Sequence, residues 1–254
     1  MGNLLAGRVA LVTGGGRGIG RAIVGQFAQN GAKGIVLDTE AVVAAAKLPD
    51  GFIARVADVS DEKSIADAFA AAVKEFGQVD VVAANAGIVP PWHETDDLDF
   101  AEWDHVFAIN ARGVGMTLKH AAKAMKAKGG SIVVTASINA HRAAPRQMAY
   151  TASKNAVIGI VRTAALDLGK YNIRVNAVGP GPVLSDALKE RIRFRQTTGG
   201  PSVEESEGIL AAQAPLNRIA TEDDIGRGVL FLASDLANAI TGHMLPIDCG
   251  YEIK

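Results

Sequence analysis

Tyr150 and Lys154 stand four residues apart in Tyr150-Thr-Ala-Ser-Lys154, within a run that reads as helix. At that spacing a phenol and an ammonium project from one helix face. A cation beside a phenol favours the phenolate, so the pair is a candidate acid/base. A unit charge ~4 Å away is worth about 4 kcal/mol at an effective dielectric of ~20. That can move a Tyr from its usual pKa of ~10 by up to ~3 units, toward neutrality. Alone the spacing decides nothing, since any amphipathic helix can carry Tyr and Lys at these positions.

A second candidate lies near the start of the chain. Thr13-Gly-Gly-Gly-Arg-Gly-Ile-Gly20 separates an apolar run from a helical pattern. Gly14, Gly18 and Gly20 permit a tight turn with close backbone approach. Arg17 and Ile19 share that turn, and the following helix start offers amide donors to a pyrophosphate. No Gly-Lys-Ser/Thr follows, so the loop is not of the NTPase type. Asp38 ends the next apolar run, 24 residues after Gly14. A carboxylate there can accept hydrogen bonds from both adenosine ribose hydroxyls and repels a 2′-phosphate, which favours NAD over NADP. Arg17 argues the other way, since a guanidinium could meet that phosphate. The carboxylate carries more weight, because a desolvated like-charge contact is costly while a loop Arg can swing to solvent.

The elements that must position these groups can be read from alternating patterns. Short apolar runs fall at Val9–Thr13, Ile35–Asp38, Phe52–Asp58, Val79–Ala84, Ser131–Ser137, Ile173–Val178 and about His243–Asp248. Helical patterns separate them, at Gly18–Asn30, Asp61–Phe76, about Phe100–Lys128, around Tyr150, and near Asp223–Ala233. Strands apolar on both faces and joined by helices mean a parallel sheet covered on both sides. The expected fold class is α/β: a single doubly wound (Rossmann) domain over residues 1–254, with about seven parallel strands. The compositional break at Gly181–Pro215, with Thr-Thr-Gly-Gly-Pro and Glu-Glu-Ser-Glu, reads as a mobile substrate-loop region over about 184–213. From Ala156 to Leu168 only Arg162 and Asp167 are charged. A helix this apolar is buried on more than one side, which predicts a partner subunit.

Composition narrows the classes. The 254 residues are 48% hydrophobic, with a formal net charge of -1, so no electrostatic case exists for nucleic acid or an anionic membrane. The Arg residues at 191, 193 and 195 read as a solvated helix face. One cysteine, Cys249, excludes an intrachain disulfide and a multi-Cys zinc site, and the five His residues lack metal-ligand spacing, so no metal is expected. No targeting layout or myristoylation pattern stands in Met1–Arg8, and no uncharged run is long enough to cross a bilayer. A cytoplasmic protein is expected.

With the Gly turn, Asp38 and the Tyr150/Lys154 pair together, the chain resembles the short-chain dehydrogenase/reductase family, in its branch of ~250 residues, over nearly its whole length. The family's Thr-Gly-x-x-x-Gly-x-Gly matches Thr13 to Gly20. Its Asp-Val at the adenine edge matches Asp58-Val59, and its Asn-Ala-Gly after the fourth strand matches Asn85-Ala86-Gly87. The family's relay Asn looks like Asn110, and its catalytic Ser matches Ser137, 13 residues before Tyr150. Pro180-Gly181 matches the turn after the sixth strand, followed by Val183. Where the family usually has a Thr that holds the nicotinamide carboxamide, this chain has Ser185, which keeps a hydroxyl.

The resemblance implies an NAD-linked oxidoreductase acting on a secondary alcohol or ketone. Tyr150 is then the general acid/base. Lys154 lowers its pKa and binds the nicotinamide ribose, and Ser137 holds the substrate oxygen. Asn110 bends its helix and fixes a water that links Lys154 to solvent. A homo-oligomer, with a tetramer favoured, is also implied. The alternatives are a 3-oxoacyl-thioester reductase, which would usually take the NADPH that Asp38 disfavours, and a non-catalytic dinucleotide-sensing scaffold, which the intact Asn110, Ser137, Tyr150 and Lys154 oppose. The substrate lining is expected from the 88–95 loop, the 138–149 loop and the 184–213 region. Asn139, Gln147 and Trp92 are candidates, Trp92 either as an apolar wall or as loop packing. Arg142 and Arg146 are candidates to anchor an anionic substrate, against the plainer reading that they face solvent or a neighbouring subunit.

Overall fold

A computed structural model describes residues 3–197 and 199–253. The targeting reading at Met1 and Gly2, and Thr198 of the Thr-Thr-Gly-Gly-Pro stretch, lie outside the described residues. Seven strands form one parallel sheet: β1 (Val9–Thr13), β2 (Lys33–Asp38), β3 (Phe52–Val56), β4 (Val81–Ala84), β5 (Gly130–Thr135), β6 (Ile173–Pro180) and β7 (Met244–Ile247). Their spatial order is β3-β2-β1-β4-β5-β6-β7. The chain builds outward from β1 to β3, then returns to start again beside β1 at β4. Strand order therefore reverses between β1 and β4, and the carboxyl ends there open a crevice.

The central strands are buried on both faces, as their unbroken apolar runs require: β1 and β4 are buried along their whole lengths. Helices cover each face. On one lie α1 (Gly18–Gln29) and α9 (Glu222–Ala233), around Ile23, Phe27, Ile225 and Val229. On the other lie α3 (Glu62–Phe76), α5 (Gly113–Met125) and α6 (Met148–Leu168), around Ile65, Leu118, Met125 and Val157. The short α2 (Glu40–Ala45) follows Asp38, and α4 (Phe100–Phe107) leads toward α5. Local chemistry sets the ends. Asp61 accepts from the amides of Lys63 and Ser64 to start α3, and Gly77, at φ 79°, closes it.

Two expectations change. The stretch from Phe100 to Lys128 is not one helix: α4 and α5 are joined by a π-helical turn over Ala108–Arg112, which contains Asn110. Single π-helical turns of this kind are rare and occur frequently at functional sites. The region expected as a substrate loop, within 181–215, holds two helices, α7 (Asp186–Gln196) and α8 (Val203–Gln213). Ser185 caps α7, and a Ser202/Glu205 capping box starts α8. These are local signals that the region's polar composition masked.

The outer face of α6 remains open: Gly159, Arg162, Thr163 and Leu166 are exposed, Leu166 by 84%. Among the described residues no helix is long and apolar enough to cross a membrane.

Candidate active site

The glycine turn leaves β1 with Gly14 at φ 63°, a conformation that favours glycine. Two contacts show why side chains are excluded. A Cβ on Gly20 would lie 1.9 Å from the Gly14 carbonyl oxygen, and one on Gly14 would lie 2.8 Å from Ala86 Cα. The turn thus packs backbone to backbone against the strand end that carries Asn85, Ala86 and Gly87. Thr13 locks this junction: its Oγ1 accepts from the amides of Asn85 (3.0 Å) and Ala86 (3.1 Å). Asn85 Nδ2 donates to the Gly14 carbonyl at 3.0 Å, and Thr135 Oγ1 donates to Asn85 Oδ1 at 3.0 Å. The carboxyl ends of β1, β4 and β5 are therefore one hydrogen-bonded unit.

Asp38 stands at the end of β2 with its carboxylate turned to the glycine turn. Oδ2 accepts from the Gly16 amide and Oδ1 from the Thr39 amide, both at 2.9 Å. Each oxygen keeps a further lone pair for a ligand. Asp58 is held by Ser60, whose amide and hydroxyl both donate to Oδ1 (2.8 and 2.7 Å).

Across the crevice Asn110 is fully buried in the π-helical turn. Its Oδ1 accepts from Ile88 N and its Nδ2 donates to Ile88 O, each at 2.8 Å, and Nδ2 also lies 3.2 Å from Ser153 Oγ. Ser153 lies beside Lys154, so Asn110 ties the loop after β4 to the helix that carries the Tyr/Lys pair. Lys154 is 4% exposed, and its Nζ donates to the Thr135 carbonyl at 2.9 Å. Two of its three protons are left for a ligand. Ser137, two residues beyond the end of β5, is buried, and its Oγ accepts from the Asn139 amide at 3.1 Å.

The electrostatics differ from the sequence expectation. Lys154 does not bring Tyr150 down toward neutrality here. Burial pushes the Tyr150 phenol pKa up, and the Ser137 hydroxyl and the Arg191 guanidinium pull it back only in part. Lys154 Nζ is engaged with the Thr135 carbonyl and lies 5.8 Å from the Tyr150 ring centroid, and desolvation of the phenol is the larger effect. Burial also lowers the pKa of Lys154 itself, to about 8.

These groups line one continuous cavity of about 930 Å³. It runs from Gly14, Arg17, Gly18, Ile19 and Gly20 past Asp38, Asp58 and Val59, then over Asn85, Ala86 and Gly87 to Ser137, Tyr150 and Lys154. Pro180, Gly181, Val183 and Ser185 close its far side. Ser185 Oγ accepts from the Leu188 amide (3.3 Å), so its proton stays available to donate. The residues fit a nicotinamide dinucleotide. At Gly87, which borders Lys154, a Cβ would sit 3.2 Å from Asn110 Oδ1 and 3.4 Å from Lys154 Nζ, crowding the space a ribose would need. Among the described residues no group of three or more His, Cys, Asp or Glu gathers as a metal-ligand set.

The substrate candidates divide. Trp92, Asn139, Arg142 and Gln147 belong to the cavity wall. Asn139 Nδ2 donates to Gln147 Oε1 at 3.1 Å, pinning the loop before α6. Arg142 is engaged with the carboxyl-terminal segment, donating to the Tyr251 carbonyl (3.2 Å) and lying over its ring (5.1 Å). Arg146 lies outside the wall, its guanidinium 5.1 Å from the Trp92 ring centroid and its Nε 3.9 Å from Glu94. The Arg cluster on α7 is not simply a solvated face: Arg191 and Arg195 line the cavity, and only Arg193 is fully turned away as an exposed residue outside it. Their i, i+4 spacing was the available signal. Tyr251 also lines the cavity, and nothing local in the sequence points to it, because its place depends on how the chain end folds back.

A sequence-family model described as enoyl-(acyl carrier protein) reductase matches residues 14–252. Versicolorin reductase of Emericella nidulans is 38% identical, over 97% of this chain and 96% of that protein. Short-chain dehydrogenase reductase 5 of Arabidopsis thaliana is 35% identical, over 99% of this chain and 97% of that protein. Among solved structures, carveol dehydrogenase from Mycobacterium avium in complex with NAD superposes with a TM-score of 0.91 at 31% identity, over 98% of this chain and 99% of that one. Levodione reductase does so with a TM-score of 0.89 at 34% identity, over the same shares.

Proposed function

The chain belongs to the short-chain dehydrogenase/reductase family, and on that footing we propose that it is an NAD-dependent oxidoreductase interconverting a secondary alcohol and a ketone. One arrangement carries the reading: Ser137, Tyr150 and Lys154 meet at one end of a cavity whose other end is bounded by the glycine turn and Asp38. The bound nicotinamide would supply the hydride chemistry. The chain's own residues supply the rest. Tyr150 exchanges the proton of the reacting oxygen, and Ser137 donates a hydrogen bond to that oxygen as charge develops on it. Lys154, anchored by Thr135, offers its remaining protons to the ribose. Asn110, through Ile88 and Ser153, holds the helix and loop at the spacing these contacts need.

Asp38 supports NAD over NADP. Its carboxylate is already fixed by Gly16 and Thr39, so it cannot turn away from a 2′-phosphate without losing both bonds. The exposed Arg17 is free to face solvent. A homo-oligomer is part of the same proposal. The exposed Leu166 on α6, and a shallow groove lined by Phe107, Ala111, Met116 and Ile160 together with the charged Asp104, Arg112 and Lys119, are surfaces suited to a second copy. The test is NADH formation over a panel of secondary alcohols, polyols and hydroxy acids, repeated with NADP. No turnover with either cofactor, despite cofactor binding, would favour a scaffold role instead.

A further inference from the structure

The cavity wall contains a part-buried basic group that the mechanism above leaves unused. Arg191, on α7, stands in the cavity wall together with Tyr150, Ser137 and Trp92. Its Nε is buried with no hydrogen-bond partner among the described residues. The acids on the same helix do not neutralise it: Asp186 and Glu190 are exposed, and Asp186 lies 3.8 Å from Lys189. The charges that act on Arg191 are the Tyr150 phenol and the like charge of Arg195. A part-buried guanidinium with such neighbours is costly to hold, and an arriving anion offsets that cost.

Two further groups of the same cavity wall carry the same requirement. Trp92 Nε1 is buried and unpartnered, and its ring is held between Arg195 at 4.5 Å and Arg146 at 5.1 Å. Ser206, on α8, lines the cavity with a buried hydroxyl that also lacks a partner. Arg Nε and Trp Nε1 can only donate, and a hydroxyl can donate. Such a set suits an acceptor-rich, negatively charged group. The two arginines expected from the sequence serve other contacts, Arg142 with Tyr251 and Arg146 with Trp92 and Glu94.

We propose, resting on the oxidoreductase reading above, that the substrate is a hydroxy acid and its keto acid, whose carboxylate pairs with Arg191 while the reacting oxygen meets Tyr150 and Ser137. The planar guanidinium matches a carboxylate in shape and charge.

The test uses matched acids and methyl esters, mandelate and 3-hydroxy-3-phenylpropanoate with their esters, oxidised with NAD by the wild type, Arg191→Gln and Arg191→Lys. The acid is expected to exceed its ester in kcat/KM by about tenfold or more, chiefly through KM. Arg191→Gln should bring that ratio close to one, and Arg191→Lys should restore part of it. A wild type that prefers the esters, or a preference for acids that Arg191→Gln leaves in place, overturns the proposal. If neither member of either pair is turned over, calorimetry on the protein saturated with NADH decides, using 3-phenylpropanoate and 3-phenylpropanamide. Selective binding of the acid, abolished in Arg191→Gln, supports the anion site even if the oxidoreductase reading fails. Equal binding of acid and amide, or binding of neither, overturns it.

Discussion

Asn110 and Ile88 exchange a matched pair of hydrogen bonds, side-chain amide to backbone amide, at 2.8 Å in each direction. The pair joins a π-helical turn to the loop leaving β4, directly beside Lys154. It gives Asn110 a structural duty in addition to any part in proton transfer. Asn110→Leu leaves both Ile88 groups without partners, and we expect a loss of about 2–4 kcal/mol in stability. Urea denaturation measures it. A loss under ~1 kcal/mol would show that water replaces the amide without penalty.

Tyr150→Phe removes the hydroxyl proposed to exchange the proton and keeps the ring beside Lys154. Turnover should fall by at least ~100-fold. NADH binding, followed by fluorescence titration, should persist. Near-normal turnover in this variant would remove Tyr150 from its assigned role.

Asp38 should set cofactor choice. Asp38→Ala removes the proposed acceptor for the ribose hydroxyls and the charge proposed to repel a 2′-phosphate. The ratio of kcat/KM for NAD over NADP is expected to drop by about tenfold or more. A wild type that already prefers NADP contradicts the argument outright.

Lys154 links stability to pH. Its pKa is about 8 in the folded protein, below the ordinary 10.5, because burial disfavours the ammonium. Between those values the unfolded chain holds the proton and the folded one has released it, so this residue's contribution to stability rises as pH increases from about 8 to 10.5. Below pH 8 both states are protonated and the burial cost is felt in full. Lys154→Met removes the linkage. The stability advantage of the variant over the wild type should shrink by about 3 kcal/mol across that window. Tm measured against pH for both proteins shows it, and parallel curves would rule it out.

Two glycines of α1 should respond in opposite ways. A Cβ at Gly20 meets the Gly14 carbonyl at 1.9 Å, whereas one at Gly25 meets nothing within 4 Å. Gly20→Ala is expected to displace the turn, with loss of NADH binding and of stability. Gly25→Ala should stabilise by about 0.5–1 kcal/mol. Equal effects would mean that the turn tolerates the side chain by shifting as a unit.

The sequence by itself determined the architecture and the contents of the dinucleotide-facing half. Unbroken apolar runs such as Val9–Thr13 and Val81–Ala84 can only be strands covered on both faces, and a helix between each pair makes them parallel. Gly14, Gly18 and Gly20 were legible because backbone geometry demands glycine wherever chains cross closely. The Tyr150/Lys154 pair was legible because helix periodicity is local. What only the tertiary structure decided depends on contacts distant in sequence. Arg191 reads as one more surface arginine until α7 folds over the cavity and aligns it with Tyr150. Arg142 and Arg146 read either as anion anchors or as arginines facing solvent or a neighbouring subunit, until Tyr251 and Trp92 engage them. The direction of the Tyr150 pKa shift was also not legible, since spacing along a helix reports proximity to Lys154 but not burial. Desolvation is a property of the assembled fold, and here it outweighs the charges that the sequence could place.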